Sequence, residues 1–440
     1  MRYFRFFIVI IAAVLAMTEI SFGAYDYIDI NSPSIRKIPI AIPLFKSGTG
    51  TFNSNDMLLS KNASDMLAET LDFTCYFKIL NRESFLENPL RPETTLQNIN
   101  FRNWSTVGAE LLVTGKIFVK GDDLEIELRL FDTIKASQLI GKKYKASSKD
   151  LRRVIRLFAS EIVFYLTGNK GVFDTRIAFV STGSGNKEIY FCDFDGTNIR
   201  QFTKNKSITL FPAWSSDGKW LAYTSYLKGN PDIYIKNINN NKTSVISKKG
   251  INITPAWIPG KFALAATLSY TGDQDIYLMT GTGKIIKKLT KSSGSDVSPA
   301  LSPDGKKMAF VSSRSGTPQI YIKDLYTGYE KRLTFNGNYN TQPCWSPKGD
   351  KIAYSGLNGG SHNIFIIGLD GKDPVQLTQD TGNNESPSWS PDGSLIVFSS
   401  TREGPSRIYV MTSYGTDQRR LFAISGEQSN PKWSPRLVNK

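Results

Sequence analysis

Pro387-Ser-Trp389-Ser-Pro391-Asp392-Gly393 is the fullest copy of a phrase that returns along the second half of this chain. Pro212-Ala-Trp214-Ser-Ser-Asp217-Gly218 is another. The repeat prolines Pro212, Pro255, Pro299, Pro343, Pro387 and Pro431 stand 43, 44, 44, 44 and 44 residues apart. Each unit adds an apolar strand, an Ile-Tyr strand and a closing Leu-Thr strand, as in Met308-Ala-Phe-Val311, Ile320-Tyr-Ile322 and Arg332-Leu-Thr334. Four strand-like runs at such a period mark the blades of a β-propeller. One blade cannot bury both faces of its sheet alone, so neighbours must stack around an axis.

The ends of the repeat region set the blade number. It opens at Arg176-Ile-Ala-Phe-Val180, the second strand of a unit, and closes at Pro431-Lys-Trp433-Ser-Pro435, a first strand. The fragments complete one another, which predicts a six-bladed propeller over 176–440, closed by a C-terminal strand in the first blade and without a free sheet edge at the seam. Equivalent loops then share a face. The loops before each Pro-x-Trp lie with those between second and third strands on a polar, Asn-, Ser- and Gly-rich surface suited to protein recognition. The Asp of each Pro-Asp-Gly is read as a turn former rather than a metal ligand.

Residues 37–167 lack the repeat and read as a small α/β (α+β) domain, joined to the propeller by a linker over 168–175. Lys37 to Phe45 forms a strand whose prolines point to an edge or entry position. Asn55–Leu71 and Asp150–Leu166 have helical periodicity, and Leu111–Val119 with Leu124–Phe131 form a hairpin. Ahead of these, Met1-Arg-Tyr-Phe-Arg5, the apolar run Phe6–Met17 and the small residues Ser21 to Ala24 read as a signal peptide over 1–24, with an uncleaved anchor as the other reading. Residues 25–36 form a flexible segment. They fit either a strand that adds to a partner's sheet or a frayed or intramolecular edge strand.

The net charge is +15, and from residue 171 onward 32 Lys and Arg face 21 Asp and Glu. These basic residues are spread among the blades with no basic, aromatic-interleaved stripe, which argues against nucleic acid. Cys75, Cys192 and Cys344 are too scattered for a disulfide scaffold or a zinc site. His362 is the only histidine. It is read as an exposed loop residue, because no Gly-x-Ser-x-Gly elbow accompanies it. Asp273 and Asp275 fit either a cation site at the channel mouth or a solvated loop. No catalytic residue, cofactor or metal is expected.

The junction Leu166-Thr-Gly168-Asn-Lys-Gly171-Val-Phe173-Asp-Thr-Arg176-Ile-Ala-Phe-Val180, the closing Pro431-Lys-Trp433-Ser-Pro435 and the domain preceding the repeat together resemble the TolB family of Tol-Pal system proteins. The resemblance implies a non-enzymatic, monomeric adaptor in the periplasm. Such an adaptor links TolA to the peptidoglycan-associated lipoprotein Pal, and so reaches the outer membrane peripherally. It supports outer-membrane integrity and invagination during division, with other envelope proteins as further partners. The resemblance places TolA binding on Tyr25, Asp26, Tyr27, Ile28, Asp29, Ile30, Asn31, Ser32, Pro33 and Ser34, and Pal binding on Ile251, Thr254 and Val297. The alternatives are a carbohydrate- or cell-wall-binding propeller, and the propeller of a peptidase-like protein without its catalytic domain.

Overall fold

The repeat phrase forms the innermost strand of each blade and its first turn. In the computed structural model, which describes residues 36–48, 54–87, 94–379 and 381–437, these strands are Thr209–Trp214, Asn252–Trp257, Asp296–Leu301, Asn340–Trp345, Asn384–Trp389 and Gln428–Trp433. Each begins three residues ahead of the repeat proline, so the stretches read as loops before Pro-x-Trp are largely strand. The cause is a bulge: the register against the second strand slips between the second and fifth residues of every copy. Proline ordinarily drives its predecessor into extended backbone. Here Phe211, Thr254, Ser298, Gln342, Ser386 and Asn430 all take positive φ, between 47° and 58°. Each such residue costs about 1–3 kcal/mol, so the surrounding sheet must hold it there.

The other repeat residues hold the blades together. Indole N–H groups of Trp214, Trp257 and Trp345 donate to the carbonyls of Lys432, Ala213 and Ala300 in the preceding blade, at 3.1, 3.0 and 2.9 Å. Leu301 takes the tryptophan place in the fourth blade. In the turn, the Ser215 hydroxyl donates to Asp217 at 2.6 Å and accepts from the Trp220 amide. Ser302–Asp304 and Ser390–Asp392 repeat the first contact. The closing threonines Thr203, Thr290, Thr334 and Thr378 accept from the amides of Ile189, Ile276, Ile320 and Ile364.

Six four-stranded antiparallel sheets result, each running from the axis outward in chain order except one. In that sheet Gln428–Trp433 is innermost and pairs with Arg176–Ser181, followed by Glu188–Asp193 and Arg200–Gln201.

The N-terminal region has the elements β1 (Ile38–Ala41), β2 (Lys46–Ser47), α1 (Ser54–Asp72), β3 (Phe77–Ile79), α2 (Phe101–Thr106), β4 (Leu111–Lys120), β5 (Asp123–Asp132), β6 (Ser137–Ser147) and α3 (Leu151–Thr167). The sheet order is β3-β1-β4-β5-β6, with β2 beside β4. Of the two positions read for the first strand, the edge is excluded and the entry holds: β1 is internal, parallel to both β3 and β4, with Pro39 as its second residue. Pro39 is tolerated because its carbonyl accepts from Glu110, just ahead of β4, and its missing N–H falls before the β4 ladder begins. Helices α1 and α3 pack together through Leu67, Phe158 and Ile162, all fully buried. Gly168 ends α3 at φ 73°, its amide donating to Phe164.

The described residues from Lys37 onward pack as one compact unit. The core of the N-terminal region runs without a break into the propeller. Phe73 and Phe173 both meet Phe194 edge-on, with centroids 5.1 and 5.5 Å apart. Arg156 of α3 binds Asp193 at 2.7 Å and Asp195 at 2.8 Å, and its guanidinium lies 4.9 Å from the Phe194 ring centre. Arg419 donates to the Phe73 carbonyl, and Lys37 pairs with Asp417 at 2.9 Å. Asp195 and Asp417 sit in turns between third and outer strands, so the N-terminal domain occupies the face of those turns. Among the described residues, no part of that domain covers the opposite face.

Candidate functional site

That opposite face carries the entries to the innermost strands and the turns between second and third strands. Ile251 lies just ahead of its strand, held to Ser269 by two hydrogen bonds, of which its own amide donates to the hydroxyl at 2.8 Å. Thr254 is the left-handed pre-proline residue three positions on, and its hydroxyl meets that of Thr267 at 2.9 Å. Val297 sits in the innermost strand of the next blade, opposite Val311. All three are half-buried. Thr254 and Val297 therefore belong to strands rather than to loops. The structure puts Ile251 and Thr254 on one blade and Val297 on its neighbour, on the same face. Tyr25 to Ser34 and the signal peptide lie outside the described residues.

Large apolar side chains missed in the sequence stand exposed on this face, among them Ile208, Leu227, Tyr270, Phe335 and Tyr339. Their places in the two loop sets were a sufficient signal. Two loop assignments are corrected here. His362 lies on a strand, paired with Leu357 in a hairpin that continues to Asn358 and Ser361. Gly359 and Gly360, at φ 60° and 83°, make the two-residue turn that extends it. The half-buried His362 ring meets Tyr339 edge-on at 5.8 Å, and its amide donates to Asn383. Asp275 is likewise no loop residue: it opens a third strand, is 2% exposed, and pairs with Lys288 at 2.5 Å. Asp273 stays exposed. Among the described residues, no group of three or more His, Cys, Asp or Glu is placed to hold a metal ion.

Nearby, Arg314 binds Asp296 through both carboxylate oxygens and also Glu330, and stands 4.9 Å from the Tyr321 ring centre. Burial acts to raise the Glu330 pKa, but hydrogen bonds from Lys323 and Arg314 outweigh it and hold the carboxyl below its ordinary value. A depressed carboxyl contributes stability above its unfolded pKa, about 4.3, and loses it as pH falls through the folded value. Glu330→Gln is therefore expected to flatten the acid limb of a stability profile measured by urea unfolding at falling pH. An unchanged limb would contradict this linkage.

At the axis a channel of about 330 Å³ is lined by the repeat phrase of all six blades. The residue after the repeat proline is small in five of them: Ala213, Ala256, Ala300, Cys344 and Ser388. It is Lys432 in the sixth, the one charged side chain of the lining. Among the described residues, no helix is long and apolar enough to cross a membrane.

The comparisons with known proteins agree with this architecture. The family described as the TolB beta propeller domain matches residues 164–437, and the TolB amino-terminal domain matches residues 26–139. A Tol-Pal system protein TolB of Desulfosudis oleivorans is 54% identical over 287 residues, 65% of each chain. A TolB homolog of Chlorobium chlorochromatii is 43% identical over 51% of this chain and 50% of its own. The chain thus spans between half and two thirds of the length of these relatives. The crystal structure of TolB from Acinetobacter baumannii superposes with a TM-score of 0.79 at 27% identity, covering 91% of this chain and 97% of that one. With an amino-terminal α/β domain and a six-bladed propeller in that order, this chain belongs to the TolB family.

Proposed function

We propose that this protein is a periplasmic adaptor of the Tol-Pal envelope system, linking TolA to the lipoprotein Pal by binding rather than by catalysis. The observation that carries the reading is the match to Tol-Pal system proteins, joined to a propeller whose face opposite the N-terminal domain bears exposed apolar side chains. Pal docks on that face around Ile251, Thr254 and Val297, and TolA takes the segment Tyr25–Ser34. Half-buried apolar groups beside exposed Leu227 and Tyr270 suit the desolvated centre of such an interface.

Binding measurements with purified Pal and the TolA C-terminal domain test the reading. Ile251→Arg and Val297→Arg are each expected to weaken Pal binding by roughly tenfold or more, the loss typical of a truncated anchor residue, and to leave TolA binding unchanged. Deletion of residues 25–34 is expected to do the reverse. Folded protein that binds neither partner overturns the proposal.

A further inference from the structure

Every blade but one keeps the channel lining uncharged, so the lysine in the remaining blade calls for a physical account. Among the described residues the Lys432 ammonium meets a single acceptor, the Cys344 sulfur at 3.8 Å. A thiol is a weak acceptor, and the half-buried Lys432 has no carboxylate beside it in an otherwise uncharged lining. A second donor in the same lining also lacks an acceptor. The indoles of Trp214, Trp257 and Trp345 each donate to the carbonyl of the residue after the proline in the preceding blade. By that pattern the Trp389 indole belongs beside Cys344. Its N–H is buried and has no acceptor among the described residues, and Trp389 as a whole is 8% exposed. The Trp433 indole has left the pattern and donates to the Thr175 hydroxyl instead.

Lys432, Cys344 and Trp389 thus line one channel, the first two in contact and the indole N–H without an acceptor, and none of them supplies a strong acceptor. We propose that the propeller channel holds a small monovalent anion of the halide class between Lys432, Trp389 and Cys344. A single positive charge neutralises one negative charge, and a spherical ion accepts from donors in any direction. The site lies on the axis and uses blades five, six and one. Of the residues assigned to Pal, Thr254 lines the same channel and Ile251 and Val297 do not; Thr254 belongs to the third blade, so the site stands whether or not Pal binds.

Bromide is the probe. In crystals of the protein soaked in sodium bromide, an anomalous peak is expected beside the Lys432 ammonium, and none in Lys432→Met. In solution, exchanging gluconate for bromide at constant ionic strength is expected to raise the melting temperature of the wild type and of Lys432→Arg. The bromide concentration giving half the effect is expected to rise at least tenfold in Lys432→Met. Trp389→Phe retains the charge and the ring shape, and is expected to raise that concentration severalfold, which decides the matter if Lys432→Met does not fold. Equal bromide responses of the wild type and all variants, or a soaked wild-type crystal with no peak in the channel, overturn the proposal.

Discussion

Arg156→Ala is expected to split the unfolding of this protein into two transitions and to lower the stability of the domain junction by about 1.5–3 kcal/mol, the range for hydrogen bonds to charged groups. The arginine is 15% exposed, Asp193 14% and Asp195 18%. Without it Asp193 keeps Asn198 and Arg176 and Asp195 keeps Arg152 and Thr197, so what is lost is the bridge between the domains rather than every partner of the two carboxylates. It also removes the guanidinium from the face of Phe194, the ring on which Phe73 and Phe173 converge. Arg156→Lys keeps the charge but cannot bridge both carboxylates as a planar fork does, so an intermediate loss is expected. Differential scanning calorimetry reads the split, and the fluorescence of Trp104, the one tryptophan of the N-terminal domain, assigns the earlier step. A single transition at the wild-type midpoint would falsify the claim that Arg156 couples the domains.

Ending the chain at Glu427 is expected to have a still larger effect. The deletion removes the innermost strand of the first blade, which pairs Gln428 with Ser181 and Trp433 with Ile177. Trp433 is 5% exposed, packs in the core shared with the N-terminal domain, and donates to Thr175 at 2.8 Å. Losing a buried tryptophan side chain alone costs about 3–5 kcal/mol, against a total of about 5–15 kcal/mol for a typical protein. The exposed edge of Arg176–Ser181 then becomes a template for pairing with other chains. The truncated protein is expected to lose its cooperative melt and to elute as aggregates in size-exclusion chromatography. Trp433→Phe, which keeps most of the packing but forfeits one hydrogen bond, is expected to cost only about 1–2 kcal/mol. Wild-type melting of the truncated chain would refute this account of the ring.

Much of this architecture was legible in the chain because the repeat is local. Pro, Trp, Ser, Asp and Gly each act within one unit or on the blade beside it, and every unit states the same contacts again. The turn aspartates, the amphipathic α3 and the hairpin of β4 and β5 were readable for the same reason. Open readings and misreadings arose where a neighbour decides. Pro39 suggested an edge or an entry position, and the entry is the one adopted, because the absent donor falls just short of the β4 ladder. His362 looked like a loop residue, although Gly359-Gly360 was a hairpin signal in plain view. Asp275 looked solvated, but the strand carrying Lys288 closes over it.

By itself, then, the sequence determined the number and order of the blades, the presence of an α/β domain ahead of them, and which loops gather on one face. Periodicity and turn chemistry are short-range, and they survive without knowledge of distant residues. Only the tertiary structure decided which face of the propeller the described residues of the N-terminal domain cover. It also set the left-handed residue before every repeat proline, and brought Lys432 to within 3.8 Å of Cys344 across 88 residues of chain. These depend on how six sheets close around an axis, where packing sets the backbone conformation and residues far apart in the chain come to share one cavity.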